Sequence, residues 1–278
     1  MNDRAIGPVL VNGIALAASD ASVSVFDIGF QRGYGCFEAM RSYGGSTFRL
    51  DAHLRRLAHS ADNLRIPLPE HEELLEWCQR VERGGDGLLR IYVTGGLDSH
   101  HLGVDNVIVV FLEPLPAIPE VVRLDVIEAP WHSDGRTSEL SGAKTLSYGP
   151  NLAATISART RGFDDAALVG MGDIVLEGPT FSLAWVTGGD VYTPSLDSHI
   201  LASITRQATL EVANALGIAV HTGRFDRSDL TGADEVFVMS TVKEVTPVAA
   251  IGSATFAPGP VTERLASGFA DLVRAETG

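Results

Sequence analysis

The chain has 278 residues, enough for one large or two modest domains, and its 21 basic against 35 acidic side chains give a net charge of −14. That charge disfavours a nucleic-acid polyanion or an anionic membrane surface as the main partner, while leaving room for a local basic pocket for one small anion. With 45% hydrophobic and 20% charged residues the composition is globular rather than disordered or fibrous, and no run of about 18 apolar residues predicts a transmembrane helix.

The first segment reads as strands. Val9 to Val11, an Asn12-Gly13 turn and Ile14 to Ala17 predict a hairpin. Ser22 to Phe26 and Phe37 to Tyr43 are further strand candidates. Leu54, Leu57, Ala58, Ala61 and Leu64 recur at helical spacing, with Asp51 as the expected cap. A second helix is predicted over Glu70 to Arg83, stopped by Gly84, Gly85 and Gly87. Leu88 to Thr94 and Asn106 to Leu112 then read as buried strands. In the stretch Glu113 to Pro119, Pro114, Pro116 and Pro119 suit neither a helix nor the inside of a sheet. The expected division is therefore a domain over 1–113, a linker over 114–120 and a second domain over 121–278.

The second domain opens with a predicted strand, Val121 to Ile127, and a polar loop, Trp131 to Gly142. Pro150 fits the first turn of a helix running to Arg161. Ala166 to Val169 and Ile174 to Leu176 read as strands, and Ser182 to Val186 and Val191 to Thr193 as a hairpin around Gly188-Gly189. Ile204 to Leu216 is the clearest amphipathic helix and stops at Gly217. A strand over Glu235 to Met239 and a helix over about Val261 to Ala275 complete the chain. Strands, helices and hairpins in this mixture predict an α+β (mixed α/β) fold in two lobes, without internal repeats.

Three features of the second half carry chemistry. Lys144 follows a small-residue loop beside apolar neighbours, where a desolvated amine would form Schiff bases; the alternative is a solvated loop lysine. Glu177 ends an apolar run, where an acid is costly unless it meets a cation or donors; the alternative is a turn carboxylate. Ser203-Ile204-Thr205-Arg206 opens the best helix, and with Ser240-Thr241 it offers amides and hydroxyls to an anion; the alternative is a plain helix cap. There is no HExxH, GxSxG, Walker loop or zinc spacing, so no metal is expected, and Ser141 lacks a His/Asp context for a serine hydrolase. His100-His101 reads as a surface pair, and Trp131 with His132 as either a lid or a surface loop. Cys36 and Cys78, without CxxC spacing, are expected as reduced thiols of a cytoplasmic protein. The early acid and missing apolar core of the first residues do not predict a signal peptide.

Several motifs in order carry a resemblance. They are Val11-Asn12-Gly13, Phe26-Asp27-Ile28-Gly29-Phe30, Phe37-Glu38-Ala39-Met40-Arg41, His53-Leu54-Arg55-Arg56-Leu57 and Glu244-Val245-Thr246-Pro247-Val248, together with Lys144, Glu177, Ile204-Thr205-Arg206 and Ser240-Thr241. Over nearly its whole length the chain resembles the fold-type IV pyridoxal-phosphate enzymes, the class IV aminotransferases. That group includes branched-chain aminotransferases, D-amino acid transaminases and aminodeoxychorismate lyases. The resemblance implies two domains with the active site between them, pyridoxal 5'-phosphate as cofactor, and a homodimer in which His100 to Asp105 would be the loop lent to the partner.

It also implies roles. Lys144 matches the lysine that holds the cofactor and shuttles a proton between the substrate Cα and the cofactor C4′. Glu177 matches the acid that keeps the pyridine nitrogen protonated, so that the ring stays an electron sink. Arg56, the second of the arginine pair, matches the phosphate arginine. Ile204 and Thr205 match the phosphate cradle, with Ser240-Thr241 across from it. Tyr148 matches a tyrosine near the phenolic oxygen, and Leu201 a residue packed on the ring. Phe37, Arg41 and Arg90 fit the branched-chain pattern on the substrate side, where Thr180 also falls, and the Val242 N–H would meet a substrate carboxylate. Departures are Gly33-Tyr34-Gly35 for Gly-Asp-Gly, Ala39 for a glycine, Pro179-Thr180 where small residues and glycine are usual, and Gly95-Gly96 where D-specific enzymes and lyases have Arg-Gly. The activity implied is transfer of an amino group from an L-branched-chain or other hydrophobic amino acid to a 2-oxo acid. The alternatives are a D-amino acid or (R)-amine transaminase, an aminodeoxychorismate lyase, or a cofactor-binding protein that has lost turnover.

Overall fold

A computed structural model describes residues 4–83, 85–132 and 138–278. Gly84 and residues 133–137 of the polar loop lie outside the described residues. Contacts divide the chain into two compact units: Met1–Pro116 with Ala143–Tyr148 and Ala275–Gly278, and Ala117–Gly142 with Gly149–Arg274. The segment bearing Lys144 thus belongs to the first unit by its contacts. The architecture is mixed α+β.

The first unit is built on a six-stranded antiparallel sheet. Its strands are β1 (Val9–Val11), β2 (Ile14–Leu16), β3 (Gly35–Tyr43), β4 (Ser46–Thr47), β5 (Gly87–Thr94) and β6 (Ile108–Glu113), in the order β2-β1-β6-β5-β3-β4. The β1–β2 hairpin closes through Asn12 and Gly13, both at positive φ (46° and 77°), as a tight two-residue turn requires. Helices α1 (Ile28–Arg32), α2 (Leu50–Asn63) and α3 (His71–Glu82) complete the unit. Leu54, Leu57 and Ala61 of α2 and Leu74, Trp77 and Val81 of α3 form one buried cluster with Met40, Leu89, Ile91, Val110 and Leu112 of the sheet. The other sheet face carries the half-buried alternate residues of β3 and β5, including Phe37, Arg41, Arg90 and Tyr92.

Two expectations fail here. Ser22 to Phe26 alternates like a strand, yet it forms none. Ser24 Oγ accepts from the Phe26 N–H, and Asp27 caps α1 by accepting from the Gly29 N–H at 2.6 Å, so local side-chain bonds replace a ladder. Asp51 does not cap α2; the cap is Arg49 at φ 52°, and Asp51 lies in the first turn, paired with Arg55 and His71.

The second unit holds an eight-stranded mixed sheet. Its strands are β7 (Val122–Glu128), β8 (Asp165–Val169), β9 (Ser182–Thr187), β10 (Asp190–Pro194), β11 (Val220–Gly223), β12 (Glu235–Ser240), β13 (Glu244–Ile251) and β14 (Ala254–Thr255). The order is β11-β10-β9-β12-β13-β7-β8, with β14 on β13. Its helices are α4 (Gly149–Thr160), α5 (Ile204–Ala215), α6 (Arg227–Thr231) and α7 (Pro260–Thr277) up to Arg274. β12 is buried along its whole length, which fits the uninterrupted apolar run of residues 236–239 within it. Ile174 to Leu176 is not a strand: Ile174 and Val175 make single bridges to different partners, Asp226 and Val169. β11, α6 and β13 carry no sequence signal as clear as that of α5. Glu235, buried in β12, accepts from the N–H groups of Val261 and Thr262 and so caps α7 from another element. Among the described residues no helix is long and apolar enough to cross a membrane, and no group of three or more His, Cys, Asp or Glu can hold a metal.

Candidate active site

In the first unit, the segment around Lys144 is bound along the start of β3. The Phe37 N–H donates to the Lys144 carbonyl at 3.1 Å, and the Leu146 N–H donates to the Gly35 carbonyl at 2.8 Å. A Cβ at residue 35 would lie 2.6 Å from Leu146 Cδ1 and 2.3 Å from the Val93 carbonyl, so this approach requires glycine. The Lys144 N–H donates to Ser60 Oγ at 3.0 Å, which in turn donates to the Arg56 carbonyl. With its backbone held on both sides, Lys144 places Nζ 4.3 Å from the Phe37 ring centroid and 5.6 Å from that of Tyr148. Those rings meet edge to face at 5.3 Å. Phe37 stacks on Tyr92, and Tyr92 on Phe111, so an aromatic row crosses three strands. Arg41 lies over Tyr43, and Arg90 Nε donates to Glu113 at 2.7 Å.

The two adjacent arginines of α2 point differently. Arg55 is 73% exposed and pairs with Asp51, whereas Arg56 is 10% exposed. Arg56 Nε and Nη2 each donate to Glu38 at 2.7 Å, and His53 Nδ1 donates to the same carboxylate at 2.8 Å. Burial pushes the Glu38 carboxyl up, but the Arg56 charge and hydrogen bonds and the His53 bond outweigh it and bring it down to about 2. Burial holds His53 below its ordinary value, against the pull of Glu38. Burial and the Glu38 charge push the Cys36 thiol up to about 12, so it is no nucleophile at neutral pH.

In the second unit, the Glu177 carbonyl accepts from the Leu168 N–H at 2.9 Å, which ties its segment to β8. Its carboxylate accepts from the Leu201 N–H at 3.1 Å, and His132 Nε2 lies 3.6 Å from Oε1. Ser203 caps α5: its Oγ accepts from the Arg206 N–H and its carbonyl from the Gln207 N–H, leaving the Ile204 and Thr205 amides at the helix start. The Arg206 side chain turns inward to Thr193 Oγ1 and the Pro194 carbonyl; burial pushes its pKa down while Glu177 opposes that. Ser240 Oγ accepts from the Lys243 N–H, fixing the turn that carries Thr241 and Val242 between β12 and β13. Thr180 is exposed.

Within the first unit the fold therefore gathers Phe37, Lys144 and Tyr148, with Arg56 reached through Ser60. Within the second it gathers Glu177 and Leu201, two residues ahead of the Ser203 cap. Glu38 and His53 stand in the motifs that carry the resemblance but received no role from the sequence, and Ser60 was not singled out. A carboxylate inside the apolar run of β3 was the available signal, since a buried acid needs donors. It also left His132 undecided, and the structure turns it toward Glu177 while Trp131 Nε1 donates to Asn151.

The donor chemistry fits pyridoxal phosphate. Taken separately, the first unit has an amine resting on aromatic rings and a braced arginine, which suit an aldehyde and a phosphate, and the second has a mostly buried acid and a helix N-terminus with hydroxyls, which suit a ring nitrogen and a phosphate.

The chain is similar to known proteins along most of its length. A Methanocaldococcus jannaschii protein, provisionally named a branched-chain-amino-acid aminotransferase, is 33% identical over 95% of this chain and 96% of its own. The D-alanine aminotransferase of Listeria monocytogenes is 29% identical over 97% of each. The solved branched-chain amino acid aminotransferase of T.th., complexed with N-(5'-phosphopyridoxyl)-L-glutamate, superposes with a TM-score of 0.86 at 28% identity, over 97% of this chain and 95% of that one. The amino-transferase class IV family model matches residues 35–251. The chain belongs to the class IV aminotransferases, a family of pyridoxal-phosphate enzymes, and is a transaminase.

Proposed function

We propose that the protein binds pyridoxal 5'-phosphate and moves an amino group from an L-branched-chain or other hydrophobic amino acid to a 2-oxo acid, in two half reactions. The cofactor, when bound, supplies an aldehyde carbon for the amino group and a ring that accepts electron density from Cα. Lys144 Nζ holds it and then carries the proton between the substrate Cα and the cofactor C4′. Glu177 keeps a proton on the pyridine nitrogen, its own carboxylate steadied by the Leu201 N–H. Arg56, the Ile204 and Thr205 amides, Ser240 and Thr241 bind the phosphate. Tyr148 meets the phenolic oxygen and Leu201 packs on the ring. Phe37, Arg41, Arg90, Thr180 and the Val242 N–H serve the substrate.

The observation that carries this reading is Lys144 itself, clamped through both backbone groups with its amine on the rings of Phe37 and Tyr148. The aromatic row Phe37–Tyr92–Phe111 supports an apolar substrate side chain. The D-alanine relative favours a second reading, a D-amino acid transaminase. Against it, Gly95 stands where the D-pattern has its arginine, and a Cβ there would lie 2.9 Å from the Tyr34 carbonyl oxygen. A homodimer in the cytoplasm is part of the proposal. Val25, Phe26 and Phe30, 61–71% exposed, offer an apolar face, and two buried free thiols suit a reducing compartment.

Purified protein with L-leucine or L-valine and 2-oxoglutarate is expected to form glutamate, and borohydride is expected to fix the cofactor at Lys144. Transfer only from D-alanine or an (R)-amine overturns the L-branched-chain assignment. Steady pyruvate release from aminodeoxychorismate without an acceptor would make it a lyase.

A further inference from the structure

The Glu38–His53–Arg56 cluster is buried more deeply than surface ion pairs are, and no step above uses Glu38 or His53. Glu38 is 0%, His53 3% and Arg56 10% exposed. A guanidinium has five N–H donors in a rigid plane. Two of them, Nε–H and one on Nη2, are spent on the two Glu38 oxygens at equal distances of 2.7 Å. A bidentate pair of this kind fixes the plane and not only the position of the arginine. The carboxylate is itself fixed, because it projects from the middle of β3 and takes a third hydrogen bond from His53 one helical turn before Arg56. The orientation of the rest of the guanidinium plane follows from that geometry.

We propose that Glu38, braced by His53, is a positioning residue for phosphate recognition by Arg56. The inference rests on the reading of Arg56 as the phosphate arginine. Glu38 does not touch the phosphate; it holds the fork in a single plane, so that a dianion meets oriented donors rather than a flexible side chain. Because its action goes through the phosphate, its loss should matter for pyridoxal 5'-phosphate and not for pyridoxal, which has the same ring and aldehyde.

The test titrates cofactor-free protein with each of these two compounds and compares dissociation constants. Arg56→Ala should weaken pyridoxal 5'-phosphate at least tenfold and leave pyridoxal within twofold; Arg55→Ala should change neither. Glu38→Gln should reproduce the Arg56→Ala pattern. His53→Leu should show a smaller phosphate-selective loss, and His53→Asn, which keeps a donor where Nδ1 stood, should restore binding. If Glu38→Gln does not fold, the two His53 variants decide. An unchanged ratio in Arg56→Ala refutes the phosphate reading of Arg56 itself. A selective loss in Arg56→Ala with no loss in Glu38→Gln or His53→Leu overturns the positioning role. So does an equal loss for both compounds, which marks a purely structural residue, and so does tighter phosphate binding in Glu38→Gln, which marks Glu38 as a competing charge.

Discussion

Glu38 also makes a prediction about acid stability. Its carboxyl falls from an ordinary 4.5 to about 2 in the folded chain. A folded value below the unfolded one means that the unfolded chain binds the proton first. The stabilisation is therefore complete above pH 4.5 and is lost as pH falls toward 2. At about 1.4 kcal/mol per pH unit, the full effect is on the order of 3 kcal/mol, with about 2 kcal/mol gone by pH 3. Glu38→Gln removes this titration and leaves Arg56 buried without its counter-charge, which costs about 3–5 kcal/mol near neutrality. Urea unfolding of both proteins from pH 7 to pH 3 is the assay. The gap between them should be constant above pH 5 and narrow by about 2 kcal/mol at pH 3. His53, depressed by burial, loses its contribution in a higher window, as pH falls below 6.5. A gap that stays constant down to pH 3 would refute the claim that Glu38 is held ionised by Arg56 and His53.

Two further outcomes concern stability. Ser203→Ala removes the α5 cap that accepts from the Arg206 N–H, and a loss of about 1 kcal/mol is expected in a thermal melt. Trp185→Ala empties a site that is 1% exposed, stacked on Tyr192 and met edge-on by Phe225; about 3–5 kcal/mol should be lost in urea unfolding, and a loss below 1 kcal/mol would contradict that packing.

Local signals were legible where local contacts decide. Asn12-Gly13 marked a hairpin because both positions adopt positive φ. Ser203 and Gly217 bracketed α5 because a hydroxyl cap and a left-handed stop act within a few residues. The same signals misled where a longer-range partner won. Ser22 to Phe26 alternates as a strand would, but no strand pairs with it, and Ser24 and Asp27 bind its backbone instead. Asp51 looked like a cap, yet its carboxylate serves Arg55 and His71. Ile174 to Leu176 is apolar enough for a strand, but its neighbours lie on two different elements.

The candidate site divides in the same way. Lys144, Glu177 and the start of α5 stand out in the sequence because an amine, an acid and a capped helix each carry chemistry by residue type. The separation of Arg55 from Arg56 does not show in their types, because both are arginine. It is made by the rotation of α2 against β3, which sends one side chain to solvent and the other to Glu38, 18 positions earlier in the chain. His53 reaches the same carboxylate across 15 positions for the same reason. Sequence by itself determined which groups the protein has and where helices and turns begin, since those follow from neighbours within about one turn of chain. The tertiary structure alone decided which charge is buried, what holds it and in which direction its donors face, since a buried ion is stable only where packing brings its partner within about 3 Å.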